Sequence, residues 1–338
     1  MTDAFDILDE SSRARLRRCR QPAWSRPMLA TLVHEAFDDP DWFFERKLDG
    51  ERCLVVRRAG GVRLLSRTRQ RLDDTYPELV DSVREHGRGD LIADGEIVAF
   101  SGGVTSFARL QRRMQVDDAE EARRRSRRVA VHLHLFDVLH LAGRDCTRVP
   151  QRDRTRLLRR AFDPGDRVHL TPHRNEHGRR WLADACERGW EGLIAKRSDA
   201  PYVHGRSRHW LKLTCVHRQE LVIGGWTEPA GERTGFGALV VGYHEGGELV
   251  CAGKVGTGFD EETLESLGAR LRSRERRTSP FDRGSPSGAD VHWVTPELVA
   301  EFGFTEWTDD GRLRHPRFVG LRRDKPAKDV VRERPEDR

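Results

Sequence analysis

Glu45-Arg46-Lys47-Leu48-Asp49-Gly50-Glu51-Arg52 decides how this chain reads. Lys47 is one of six lysines among 338 residues, against fifty-five arginines; the others are Lys196, Lys212, Lys254, Lys325 and Lys328. A chain that writes arginine for positive charge keeps lysine for work that guanidinium cannot do. Guanidinium stays protonated, whereas an ammonium in a suitable pocket sheds its proton and becomes a nucleophile. Compositional drift would account for any one of these lysines. It does not account for four of them lying in short motifs that describe a single chemistry.

Outward from Lys47, Trp42 to Arg46 reads as a strand. Arg52 to Arg58 and Val62 to Ser66 read as two more around the Gly60-Gly61 turn. Thr75-Tyr76-Pro77-Glu78 opens a helix, with Thr at the cap and Pro in the first turn. Leu91 to Phe100 is a strand carrying Asp94-Gly95-Glu96. Val129 to Val138 alternates Val131, Leu133 and Leu135 with His132, His134 and Phe136, as a strand with two different faces does. Gly192 to Lys196 is another short strand. After about Val216 the texture changes to strands separated by Gly-rich turns: Gln219 to Trp226, Phe236 to His244 and Glu248 to Val255. A helix from Asp260 to about Arg274, a Ser/Gly/Pro loop and a last strand near Val291 follow. A strand-rich half of this length suits a small barrel such as an OB-fold.

The expected organisation is therefore α+β. A basic tail spans 1–21, a first domain of sheets with flanking helices 22–216, an OB-fold 217–326 and a C-terminal tail 327–338, with the domain boundary at 214–219. Composition, 36% hydrophobic and 34% charged, fits a soluble two-domain chain, and no apolar run is long enough to span a membrane. The N-terminus lacks an apolar signal core, so the expected location is cytoplasmic. Cys19, Cys53, Cys146, Cys186, Cys215 and Cys251 contain no C-x-x-C pair and are expected as reduced thiols. A net charge of +6 attracts polyanions, nucleic acid first among them. The run Arg123 to Arg128 follows the acidic stretch Asp117 to Glu121 and reads as a salt-bridged, solvated helix face.

The chemistry lies in ordered motifs. After the Lys47 segment come Ser66-Arg67, Asp94-Gly95-Glu96, Leu135-Phe136-Asp137, Glu191-Gly192-Leu193-Ile194-Ala195-Lys196 and Trp210-Leu211-Lys212. Arg317-Phe318 and Leu321-Arg322-Arg323-Asp324-Lys325 close the series. An amine that attacks a nucleotide α-phosphate must first be neutral. Deprotonating a free lysine, pKa ~10.4, costs about 4.6 kcal/mol at pH 7. Cationic neighbours and a bound metal supply that shift by disfavouring another positive charge. Lys196, Lys212, Arg52 and Arg67 are candidate neighbours and phosphate binders; Glu96 and Glu191 are candidate ligands for a divalent cation; Phe136 offers a flat face to a purine.

Read in this order, the motifs resemble those of covalent nucleotidyltransferases, and specifically of ATP-dependent DNA ligases. Pro27-Met28-Leu29-Ala30 and the Phe236 to Phe259 stretch look most like the ligase module of bacterial non-homologous end-joining ligases. The resemblance runs from about residue 22 to 330. It implies an adenylation domain followed by an OB-fold, with ATP and Mg²⁺ or Mn²⁺ as cofactors. Lys47 would form lysyl-AMP, Glu45 would read the adenine amino group and Phe136 would stack on adenine. Arg52 and Arg67 would contact ribose, phosphate or the DNA 5′-phosphate. Glu96 would hold the ribose and serve the metal with Glu191. Lys212 with Arg206 would hold the α-phosphate, and Arg323 and Lys325 would orient the departing pyrophosphate. Nicked or broken duplex DNA is the implied substrate, a Ku-like end-binding protein and a separate repair polymerase are implied partners, and the chain is expected to be a monomer. An RNA ligase or GTP-using capping enzyme shares the lysyl-nucleotide step, and a DNA-binding scaffold that has lost turnover is the non-enzymatic alternative.

One departure stands out. The family commonly carries a second lysine two places after Lys212, and here Thr214 brings a hydroxyl without charge. Other signals fall away. Gly253-Lys254-Val255 lacks the spacing of a phosphate loop, and His173 with His177 lacks a third zinc ligand.

Overall fold

Two sheets flank the Lys47 segment, and their alternating sequences determine which side chains face each other. The computed structural model describes residues 4–33, 35–59, 61–114, 116, 118–215, 217–229, 235–286, 290–304, 306–308 and 310–333. Gly60, Asp117 and Val216, used above as turn, charge and boundary markers, lie outside these. The described chain divides into two units, 4–215 and 217–333.

The first unit contains α1 (Glu10–Ala14), β1 (Arg17–Arg18), β2 (Met28–Leu32), β3 (Trp42–Arg46), β4 (Glu51–Arg58), β5 (Gly61–Ser66), α2 (Pro77–His86), β6 (Leu91–Ser101) and β7 (Val104–Thr105). It continues with α3 (Phe107–Gln111), α4 (Ala119–Arg128), β8 (Val131–Leu141), β9 (Arg144–Asp145), α5 (Gln151–Ala161), β10 (Val168–Leu170), β11 (His173–Arg174), α6 (Gly178–Glu187), β12 (Gly192–Arg197) and β13 (Gly205–Thr214). One sheet runs β1-β9-β8-β6-β4-β5, with β10 beside β8 and β7 beside β6; the other runs β11-β3-β12-β13-β2. Pairings are antiparallel except β10 with β8 and β2 with β13.

Alternation in the smaller sheet sorts its residues cleanly. Trp42, Phe44, Leu193, Ala195, Leu211 and Leu213 pack outward with Trp181 and Ala185 of α6. Burying each large apolar side chain there contributes about 2 kcal/mol. Period two therefore turns Phe43, Glu45, Ile194, Lys196, Trp210 and Lys212 to the opposite face, toward the larger sheet. Met28 and Trp210 from the small sheet meet Leu54, Val56, Leu65, Ile92 and Leu139 from the large one, closing the inter-sheet core at one end.

The second unit comprises β14 (His217–Thr227), β15 (Leu239–Glu245), β16 (Glu248–Val255), α7 (Glu261–Arg272), β17 (Glu275–Arg276), β18 (Val291–Val294), β19 (Val299–Phe304), β20 (Glu306–Trp307), β21 (Leu313–Arg314) and β22 (Arg317–Arg322). Long β14 pairs with β15, β18 and β19, and β19 with β22, wrapping one apolar core that includes Leu221, Ile223, Val241 and Phe302. Asp260 caps α7 by accepting the Thr263 N–H at 2.9 Å. Lys254 lies within β16.

Several expectations need correction. The N-terminal segment packs: Phe5 and Leu8 are buried, and Ser12 donates to Asp153 at 2.7 Å. β1 then joins the large sheet through β9. At the other end, Val330 is fully buried in the second core and Val331 bridges to His244, so packing runs past 326. Pro77 opens α2, but Tyr76 occupies the cap without a side-chain bond while Thr75 donates to the Val116 carbonyl. Cys186 and Cys215 are joined as a disulfide, because the end of α6 meets the end of β13 with Cα atoms 5.3 Å apart. The Arg-rich run forms α4, where Arg124 and Arg125 pair with Glu121.

Candidate active site

The Lys47 loop leaves β3 and must cross closely over β6 before re-entering as β4. A Cβ on Gly50 would overlap the Ile97 carbonyl oxygen, so only glycine permits that crossing. Gly192 has φ +144°, and a Cβ there would overlap the Leu213 carbonyl oxygen. Its own carbonyl accepts the Lys47 N–H at 2.9 Å. Glu191, immediately before it, is thereby brought to the nucleophile candidate, and its carboxylate ion-pairs with Lys47 Nζ. The Glu191 side chain is 4% exposed and that of Lys47 21%. This pairing favours the ammonium form, so neutral Lys47 requires Glu191 to be engaged elsewhere.

Glu45 and Lys196 occupy the same inter-sheet face, one strand apart. Their ion pair measures 2.7 Å and both side chains are almost fully enclosed. Burial pushes the Glu45 carboxyl up to about 7, against the pull of the Lys196 ammonium. Lys196 also donates to the Phe136 carbonyl at 3.2 Å and lies 4.4 Å from the ring centroids of both Phe136 and Trp210. Expected as an open phosphate-binding cation, Lys196 instead fastens Glu45 and Phe136 from within.

Arg52 is likewise anchored. It makes a bidentate pair with fully buried Asp94, both bonds at 2.6 Å, and sits 4.7 Å over the Phe136 ring. Tyr202 donates to the same carboxylate at 2.6 Å and accepts the Met28 N–H at 2.7 Å. Asp94-Gly95 lies in mid-strand on β6, as expected of the strand that carries it. Behind Phe136, fully buried Asp137 holds Arg154 through bonds of 2.8 and 2.9 Å. Arg154 donates to Gln151 Oε1, which also accepts the Trp210 indole N–H at 3.0 Å. The aromatic platform is thus held by a hydrogen-bonded set that periodicity did not single out.

Register places Glu96 directly between Arg52 on β4 and His134 on β8. His134 in turn lies opposite His169. Burial, then His169, His132 and Arg46, lower His134 to about 3, so it is a neutral imidazole. Among the described residues no group of three or more His, Cys, Asp or Glu side chains is arranged to hold a metal ion. A magnesium-like ion needs no such group, since it takes one or two carboxylates and completes its shell with water and substrate phosphates.

Lys212 lies opposite Ile194 and Leu32 on the inter-sheet face. Thr214 sits opposite Gly192. Arg206, expected beside Lys212, lies opposite Leu29, and an irregularity in β13 between Ser207 and Leu211 separates the two. Its guanidinium donates to the Ala30 carbonyl at 2.7 Å. Arg67 is half-buried at the start of the turn after β5. In the second unit Arg323 is exposed just past β22, while Lys325 ion-pairs with Glu220. Arg46 and Asp94, quoted within the motifs without a role, also act here. Arg46 lies over the Trp190 ring at 4.4 Å, and Asp94 locks Arg52. His173 stacks on Phe43 at 4.2 Å.

Comparisons with known proteins match both units of the chain. A family model described as ATP dependent DNA ligase domain matches residues 27–214, and one described as ATP dependent DNA ligase C terminal region matches 232–325. The chain is 38% identical over 315 residues to the multifunctional non-homologous end joining DNA repair protein LigD of Mycobacterium tuberculosis, covering 91% of this chain and 40% of that protein. LigD of Pseudomonas aeruginosa is 35% identical over 322 residues, covering 93% and 37%. The chain spans about two fifths of the length of these relatives. The solved structure of mycobacterial DNA ligase D complexed with ATP and MES matches with TM-score 0.65 at 35% identity, over 91% of this chain and 98% of that one.

Proposed function

Because the chain belongs to the ATP-dependent DNA ligase family, we propose that it seals 5′-phosphate to 3′-hydroxyl breaks in duplex DNA through a lysyl-AMP on Lys47. The observation that carries this reading is the Lys47–Glu191 pair, held by the Lys47 N–H on the Gly192 carbonyl and set beside the Glu45–Lys196 pair. Neutral Lys47 Nζ attacks the α-phosphorus of ATP; an N–P bond forms and the bond to pyrophosphate breaks. The DNA 5′-phosphate then displaces Lys47, and the 3′-hydroxyl displaces AMP. Glu45 accepts from the adenine amino group, Phe136 stacks on the base, and Glu96 and Arg52 flank the ribose. Lys212 binds the α-phosphate, while Thr214 contributes at most a neutral hydrogen bond.

Mg²⁺ or Mn²⁺ bound by Glu191 and Glu96 would offset phosphoryl charge. Withdrawing Glu191 from Lys47 removes the extra stabilisation of the ammonium and returns the deprotonation cost toward the ~4.6 kcal/mol of an ordinary lysine, which cationic neighbours then lower. A role in end joining is supported by the names of the LigD relatives; a Ku-like protein and a separate polymerase would be its partners, in the bacterial cytoplasm. Incubation with α-labelled ATP tests the core of the proposal. Wild type should carry an acid-labile adduct and seal nicked duplex DNA, and Lys47→Ala and Lys47→Arg should do neither. Label taken from GTP instead, or sealing confined to RNA, would overturn it.

A further inference from the structure

Resting on that reading, we infer that the Cys186–Cys215 disulfide is a redox-addressable fastener that positions Glu191 against Lys47. The turn from Arg188 to Glu191 links α6 to β12. At its α6 end, the Gly189 N–H donates to the Cys186 carbonyl at 3.0 Å and the Trp190 N–H to the Ala185 carbonyl at 2.9 Å. At its other end, the Cys215 N–H donates to the Glu191 carbonyl at 3.0 Å. The disulfide joins these two ends, so Glu191 belongs to a closed ring that is part covalent and part hydrogen-bonded.

Two successive residues of this turn meet two successive residues of the nucleophile motif. The Trp190 ring carries the Arg46 guanidinium at 4.4 Å, and the Glu191 carboxylate carries Lys47. Gly192 adds the backbone bond to Lys47. Motion of the Cys215 end therefore reaches Glu191 through one hydrogen bond and Lys47 through one more contact. The remaining cysteines do not compete for the pair: Cys53, Cys146 and Cys251 are buried, and Cys19 is exposed elsewhere. Burial also raises the pKa of each of those three buried thiols, which makes them poor thiolates.

The chemistry balances as thiol–disulfide exchange. One thiolate of the pair attacks a small-molecule disulfide, the second displaces the resulting mixed disulfide, and the external compound leaves as two thiols with the two electrons and two protons. A dithiol reductant reverses it. Cys186 and Cys215 are thus positioning residues. Their linkage fixes where the Glu191 carboxylate stands when it leaves Lys47 to engage a divalent cation, so it should act on the adenylation rate constant and not on ATP KM.

The test uses the whole chain, equilibrated with oxidised or reduced dithiothreitol. Non-reducing peptide mapping reads the bond, hydrogen exchange reads the 186–192 turn, and single-turnover labelling reads Lys47 adenylation. The oxidised protein should show the bridged peptide and a protected turn. Reduction should deprotect the turn and slow adenylation on the order of tenfold, with ATP KM unchanged within about twofold. The Cys186→Ser/Cys215→Ser double variant should behave as reduced under both conditions, and Cys19→Ser should still respond. Equal turn protection and equal rates in both states would overturn the inference, as would free thiols at both positions under oxidant. Absence of any Lys47 adduct in either state would overturn the ligase reading instead.

Discussion

Asp94→Asn tests whether Arg52 is held by charge or merely by shape. Asp94 is fully buried and receives three short bonds, two from Arg52 and one from Tyr202, all at 2.6 Å. Asparagine keeps the volume but removes the charge, and its amide N–H groups face donors. Removing one partner of a buried pair costs 3–5 kcal/mol because the other charge is left uncompensated. The Arg52 side chain is 17% exposed, which permits partial hydration and places the cost near the lower end, about 3 kcal/mol. For a unit of this size that is a melting shift of roughly 6–12 °C. Arg52→Met alone strands the carboxylate and should cost at least as much. The double variant removes both charges and should be less destabilised than the sum by about 2–3 kcal/mol. Urea unfolding followed by tryptophan fluorescence provides the cycle. Additivity within ~0.5 kcal/mol would refute the argument that these residues act as one ion pair.

Glu45 gives a pH signature. Its folded pKa of about 7 lies above the ordinary 4.5, so its contribution to stability is complete below pH 4.5 and is lost as pH rises toward 7. Chemical denaturation of Glu45→Gln across that window should lack this decline. His134, lowered from 6.5 to about 3, acts oppositely: stability present above pH 6.5 is lost as pH falls, and His134→Phe should flatten that acid limb. Gly192→Ala forces a side chain into positive φ against the Leu213 carbonyl, costing at least 1–3 kcal/mol in strain alone. By displacing Glu191 and the Lys47 backbone bond, it should lower adenylation on the order of a hundredfold, read by labelled ATP. Cutting the Cys186–Cys215 bridge, with its sequence separation of 29, should lower thermal stability by about 3–4 kcal/mol on loop-closure grounds.

Motif chemistry was legible because it is local. Lys47 and Gly50 share one loop that Glu45 enters from β3, and Glu191 with Gly192 needs only its neighbour to reach its place. What stayed hidden depends on residues distant in sequence. Cys186 and Cys215 look like two isolated thiols until α6 and β13 bring their Cα atoms together. The place of Arg206 relative to Lys212 depends on an irregularity in β13 that the sequence does not announce. Phe5 and Leu8 are sparse among acidic residues, and Ser12 precedes the arginines, too little to announce that the segment packs. β13 itself escaped because Arg206, Ser207, Arg208 and His209 mask its alternation, although Trp210, Leu211 and Leu213 carry the burial.

The lysine–arginine bias that opened the reading has a deeper physical basis in the buried charges. Where a buried cation spans several acceptors lying in a plane, the residue is arginine. Arg154 takes both Asp137 oxygens, two carbonyls and Gln151, and Arg113 reaches Glu78 and two carbonyls. A planar fork satisfies such sets, and an ammonium would leave acceptors unmet. Lys196 occupies the converse setting. Its acceptors, Glu45 and the Phe136 carbonyl, are few, and two aromatic faces close over it at the same 4.4 Å. A compact charge fits between the rings, and guanidinium would part them. Lysine thus survives here for two separate reasons, releasable charge at Lys47 and compact charge at Lys196. Lys196→Arg should accordingly separate Phe136 from Trp210 and weaken nucleotide stacking while leaving Lys47 in place.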